Sequence, residues 1–396
     1  MINAIKAISF KEYVIVFAIW FAACARLTFP NLNGIALYAV IPALFLLSFM
    51  SDTQILRNRY IRSYSFLIVW TLVSCLVATD FQLAITMWVT MLGGWMCGIV
   101  MYSIPIQHPR ANNLILLTYS ILLGTTILYL FTSGDIVAIN IKSSRLNESH
   151  VNANDISYLL FFAVSCFGLV LIDTGLKKSL QIILYVAFFA LVIWCSLITA
   201  SRQILVVILP LTFVCMLLTV SNRPFSMKTI VWCVVFAIGA YWAYKYIVSD
   251  IIDNSYLAMR MEEDAKEDVR VTLIKEALAV GFSNPILGVG NANFVHYSSS
   301  GCFSHNSYLE FFANSGLPAF FVYTLMVVGF IKEQYRKYKR TNSVVFMYLL
   351  MVSLFWFVFN FFYAFQTGPW LIAYFFLLIG YSESKYQRYT KYQVYE

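Results

Sequence analysis

Charged residues are scarce in this chain. Asp, Glu, Lys and Arg make up 12% of its 396 residues, about half the ~25% of an ordinary soluble domain. That shortage excludes a conventional water-soluble domain, whose surface needs charge. Paired cysteines are lacking as well. Eight cysteines are present, yet no Cys-x-x-Cys occurs. Cys24, Cys75, Cys97, Cys166, Cys195, Cys215 and Cys233 lie in apolar runs, where a thiol behaves as a small hydrophobe. Cys302 lies in a polar stretch with no partner beside it. Neither a zinc site nor a disulfide framework is supported, and no metal ligand set is expected.

What the chain has in quantity is apolar sequence. Hydrophobic residues make up 61%, and the mean hydropathy is +0.75. Apolar runs recur near the ~20 residues that span a bilayer as helix. The expectation is an all-α polytopic membrane protein of about twelve transmembrane helices, at 13–29, 33–50, 64–79, 81–103, 111–132, 156–173, 179–198, 203–220, 228–249, 308–331, 342–361 and 363–381. It forms one membrane domain, 1–396. Ala23, Cys24 and Ala25 resemble a signal-peptidase site, but the run continues to Phe29, which favours an uncleaved first helix.

A formal net charge of +8 invites a nucleic-acid reading, which its distribution opposes. Most Lys and Arg fall in alternate connections, at Lys6 and Lys11, Arg57 to Arg62, Arg110, Lys177 and Lys178, Arg223 and Lys228, Lys332 to Arg340, and Lys385 to Lys391. By the positive-inside rule these are cytoplasmic, and so are both termini. The excess charge orients the chain and attracts anionic lipid, not nucleic acid.

Two polar segments are expected to face outward. The first, Thr132 to Asp155, reads as a loop; its Asn147, Glu148, Ser149 triplet is a weak glycosylation match. The second, at 250–307, is the large extracytoplasmic loop, and the chain is organised around it. It begins with an acidic run at Glu262, Glu263 and Asp264. From Glu267 to Leu278 the apolar positions Val269, Leu273, Ala277 and Val271, Ile274, Leu278 fit an amphipathic helix at the membrane surface. Gly281 would cap it. Pro285, Gly288 and Gly290 then make a turn that allows close backbone approach.

Candidate chemistry gathers near this loop. Arg202 stands in a nearly loopless join, Thr199 to Gln203, at the outer ends of two spans. It is either an interfacial arginine reaching headgroups or an anion clamp, since a guanidinium matches phosphate oxygens. Arg270 opens the surface helix; the plainer reading is a salt bridge to Glu263, Asp264 or Glu267. Arg260 has the same two readings. His305 stands where the loop re-enters the membrane, and an imidazole there can take a proton near neutral pH. His150 and His296 are its rivals. Asn306 and Glu310 support it, Glu310 either orienting the imidazole or favouring the helix start.

Arg270 followed after ten residues by Gly281, then Asn284, Pro285 and the Gly288-x-Gly290 turn, resembles the outer loop of the O-antigen polymerase and ligase superfamily. His305 and Asn306, with ten residues to Gly316 and then Leu317 and Pro318, are similar to its second signature. Ala319 stands where that family usually has a further glycine. Ser201 and Arg202 resemble its third basic element. The motifs cover about residues 190–320. The resemblance implies a type C glycosyltransferase-like fold and glycan transfer from undecaprenyl pyrophosphate with no metal or cofactor, at the outer face of the bacterial inner membrane. It implies Arg202 and Arg270 on the pyrophosphate and His305 as catalytic base or orienting group. A chain-length regulator and a flippase of the same pathway are the implied partners, beside the bilayer. Polymerase is the favoured activity, because short external segments leave little surface for a lipid A core acceptor. Ligase is the alternative. An exporter or flippase should carry charge through its spans, and Lys245 is the one clear basic residue placed so.

Overall fold

The computed structural model describes residues 33–51, 53–107, 109, 112–132, 153–174, 176–199, 201, 203–222, 269–362 and 369–393. Among them every regular element is helical. In chain order the main helices are α1 (Ile41–Ser51), α2 (Arg59–Ser74), α3 (Phe81–Gln107), α4 (Asn112–Thr132), α5 (Ala153–Thr174), α6 (Lys178–Thr199), α7 (Leu209–Ser221), α8 (Val269–Ser283), α9 (Ser307–Thr341), α10 (Val344–Phe359) and α11 (Pro369–Gln393). Single π turns lead into α1 (Ala36–Val40) and α7 (Ile204–Ile208).

Each expected span that falls on described residues overlaps one of these helices, 33–50 from Ile41 and 363–381 from Pro369. The spans at 13–29 and 228–249 lie outside the described residues. Six stretches among those described are long and apolar enough to cross a membrane: Arg59–Val77, Phe81–Gln107, Ile156–Asp173, Lys178–Thr199, Ile204–Ser221 and Ser307–Thr341. The fold is that of a polytopic all-helical membrane protein.

Burial sorts the helices. α5 is buried without a break from Ile156 to Cys166, so it is central. Phe161 stacks on Phe359 with centroids 5.2 Å apart, and Phe162 on Tyr374 at 3.9 Å; these rings join α5 to α10 and α11. α3 and α11 pack most closely. A Cβ on Gly98 would stand 2.5 Å from the Phe376 ring, and one on Gly380 2.3 Å from the Tyr102 carbonyl oxygen, so small residues let the backbones meet. Peripheral helices turn large apolar side chains outward: Phe66 and Val69 on α2, Ile183 and Val186 on α6, Phe321 and Leu325 on α9. Such contiguous apolar exposure suits lipid rather than water.

Two helices outrun their apolar sequence. α9 continues past 331 to Thr341, and α11 past 381 to Gln393. Lys332 to Arg340 and Lys385 to Lys391 are therefore helical, correcting their reading as loop. The physical reason is that charged residues can extend a helix through their own pairing. Lys337 lies 2.5 Å from Glu333, one turn away on α9, and Glu333 also meets Arg59 of α2. α9 stops where Asn342 takes a left-handed cap, φ +47°.

The largest departure is a break inside α9. Gly316 has φ +76° and ψ −174°, a region essentially reserved for glycine. The expected span 308–331 is thus a short helix, 307–315, followed by the long helix. Trp70 Nε1 of α2 donates to the Ser315 carbonyl at 2.8 Å, anchoring the break to the bundle.

Candidate active site

The site is assembled by a backbone interlock. The turn after α8 folds against the break in α9. Val289 N donates to Ala313 O and Gly290 N to Asn314 O, both at 3.0 Å, while Leu317 N donates to Pro285 O at 2.8 Å. No side chain fits between these strands of backbone. A Cβ on Gly288 would lie 2.3 Å from the Asn314 carbonyl carbon, and one on Gly316 2.1 Å from Ile286 O. The expected close approach at Gly288 and Gly290 is present: Gly288 meets the backbone at the break, and Gly290 meets Ala78.

Gly281 does not cap α8. The helix runs on to Ser283, and Gly281 is buried inside it, where a Cβ would meet the Phe312 ring at 2.5 Å. Its small size admits an aromatic ring of α9. The buried row of α8 is Leu273, Ala277 and Gly281, packed with Phe294 and Ala313. Of the apolar positions expected at the membrane surface, Leu273 and Ala277 pack on protein, whereas Leu278 stays exposed. Val269, Phe282 and Ile286 remain exposed.

Polar side chains complete the joint. Glu310, fully buried, accepts from Ser304 N at 2.7 Å, Ser304 Oγ at 2.6 Å and Asn314 Nδ2 at 2.7 Å. Asn314 Oδ1 accepts from Phe294 N at 2.7 Å. Asn306 caps α9, its Oδ1 accepting from Tyr308 N at 3.0 Å and Leu309 N at 3.2 Å. Capping therefore falls to Asn306, and Glu310 holds the residue before His305. His305 itself takes φ +53°, a conformation uncommon for a side-chain-bearing residue. Anchored neighbours on both sides sustain that backbone.

Arg270 and His305 line one cleft of about 300 Å³, with Gln203, Val206, Ile274, Ser304, Phe361 and Phe362. The loop and the α6–α7 join thus contribute to the same space. Arg202 and Arg260 lie outside the described residues, as do His150, Asn147 and Lys245. Ser201 and Gln203, which flank Arg202, are both buried. Ser201 Oγ lies 3.2 Å from Ser157 Oγ, so the join is pinned to α5. His296 is elsewhere, its Nε2 3.9 Å from Asp80 Oδ2, and it does not line the cleft. Among the described residues no three His, Cys, Asp or Glu side chains gather to hold a metal ion. A second, apolar cleft of about 390 Å³ adjoins the first through Ile274 and Phe361, lined further by Leu309, Phe320 and Phe357.

Gln203, Ser304, Asn314 and Phe361 were not singled out by the sequence. Only the spacing of Asn314, one turn after Glu310, offered a local signal; the others are defined by contacts distant in the chain.

Fold and site together define a polytopic helical membrane protein whose cleft joins a cationic side chain and an imidazole beside an apolar groove. A family model described as O-antigen ligase matches residues 186–324, spanning α6, α7, the loop and the start of α9. That segment is thus similar to the O-antigen polymerase and ligase superfamily, whose members are glycosyltransferase-like enzymes. No curated protein matches the chain.

Proposed function

We propose that the protein is a polymerase of O-antigen or a related surface polysaccharide, transferring a glycan from undecaprenyl pyrophosphate to the next lipid-linked repeat unit. The observation that carries this reading is the shared cleft of Arg270 and His305, reached from the family-matched segment. In the reaction an acceptor hydroxyl attacks the anomeric carbon, the bond from that carbon to the diphosphate oxygen breaks, and lipid diphosphate departs. Charge grows on the diphosphate, and Arg270 with Arg202 meets it. Fixed donors at such a position are worth about 10²–10³ each in rate. His305 takes the hydroxyl proton or orients the acceptor. Low dielectric at the membrane rim strengthens these contacts. Neither step calls on a metal or a cofactor.

The protein sits in the bacterial inner membrane with both termini cytoplasmic and the loop outside, alongside the pathway's flippase and chain-length regulator. A ligase, with the lipid A core as acceptor, is the second reading, favoured by the description of the matching family. Gene deletion followed by lipopolysaccharide gel profiling separates the two. Loss of the ladder with one repeat retained on the core indicates a polymerase, and bare core a ligase. An unchanged profile of all surface polysaccharides overturns both.

A further inference from the structure

We infer that Gln203 reads the sugar of the bound substrate, its amide oxygen accepting a hydrogen bond from a hydroxyl or acetamido N–H. This rests on the glycan-transfer reading of the cleft and extends it to a residue that determines specificity. Gln203 is 2% exposed and lines the cleft with Arg270 and His305. Its Nε2 donates to the Phe362 carbonyl oxygen at 2.9 Å. That bond fixes the amide's orientation, because the reverse would set carbonyl against carbonyl. Oε1 is left buried with no hydrogen-bond partner among the described residues. Buried acceptors are ordinarily satisfied, and one that is not at a cleft wall calls for a ligand donor.

The chemistry of the substrate divides accordingly. An ionised diphosphate offers only acceptor oxygens, which Gln203 Oε1 repels and Arg270 attracts. A sugar ring offers donors. Phe361, 44% exposed and lining both clefts, supplies an apolar surface for the C–H face of a ring. Its own ring is held by Tyr308 at 4.9 Å and Phe357 at 5.4 Å. The cleft's size stands at the lower end of small-molecule sites, roughly 300–1,000 Å³.

The test uses the full chain in detergent and isothermal titration calorimetry with inorganic phosphate, inorganic pyrophosphate, and the 1-phosphates of glucose, galactose and N-acetylglucosamine. At least one sugar phosphate is expected to bind more tightly than inorganic phosphate. Gln203→Met should reduce that gain about two- to tenfold, the worth of one neutral hydrogen bond, and leave phosphate and pyrophosphate affinities unchanged. An unaltered gain in the variant, an equal loss for pyrophosphate, or no gain in the native protein overturns the inference. Should Gln203→Met fail to fold, deoxy analogues of the best sugar phosphate are titrated into the native chain. One deletion is expected to weaken binding by a similar factor; equal affinity across the series overturns the inference. Failure of the native protein to bind pyrophosphate contradicts instead the glycan-transfer reading, since that measurement is independent of the sugar gain.

Discussion

Replacing Gly316 by alanine should unfasten the joint on which the cleft is built. The new Cβ would stand 2.1 Å from Ile286 O, 2.4 Å from Ile286 C and 2.7 Å from Pro285 O. All three are backbone atoms, so no side chain can swing away. The φ of +76° adds strain of about 1–3 kcal/mol for a residue with a Cβ. Relief requires the turn to retreat, which breaks Leu317 N to Pro285 O and strains the two bonds from Val289 and Gly290. Each buried backbone group left unpaired costs about 1–3 kcal/mol. The sum is at least about 3 kcal/mol, a large share of the ~5–15 kcal/mol that holds a typical fold. Gly301→Ala is the control. Its φ is +64°, yet nothing lies within 4 Å of the added methyl, so the cost is the left-handed penalty alone, about 1–2 kcal/mol. Thermal unfolding in detergent and hydrogen exchange of the Val289, Gly290 and Leu317 amides compare the two. Gly316→Ala should unfold well below Gly301→Ala and lose protection at all three amides. Equal unfolding temperatures with protection intact would refute the interlock.

Three further outcomes follow from the same geometry. Glu310→Gln places an amide N–H₂ among the donors of Ser304 and Asn314, so stability should fall by about 1–3 kcal/mol and transfer should weaken; an unchanged melting temperature argues against the network. Asn306→Ala should cost about 1 kcal/mol through loss of the cap, and Asn306→Asp should recover most of it, read by the same unfolding assay. Removal of divalent metals with a chelator should leave transfer by the purified protein unchanged, and activity restored only by added magnesium would contradict the proposed mechanism.

Among the described residues, helix existence was legible where apolar residues ran near membrane length, because the bilayer demands that length and leaves the backbone no alternative. Helix ends were not. Glu333 and Lys337 continue α9 through a local ion pair, so polarity overtakes the sequence before the helix stops. The left-handed break at Gly316 was not legible from its neighbours Asn314, Ser315 and Pro318, since its cause is the turn 26–31 residues earlier. Gly281 shows the same limit: as a residue type it reads equally as a cap or as room for a ring, and only Phe312 decides. Within the cleft, Arg270 and His305 were singled out by the motif resemblance, residue chemistry alone leaving plainer roles open. Gln203 was not, because an amide's importance lies in the partners it meets or lacks.

The central claim is that Arg270 and His305 serve one glycan-transfer site, and transfer by single-residue variants tests it most directly. Arg270→Ala and His305→Ala, expressed in a deletion strain and assayed for long-chain polysaccharide, should each abolish the long chains while reaching the membrane in native amounts. Removal of one such donor is expected to cost about 10²–10³ in rate. Chains of normal length and abundance from either variant would contradict the account.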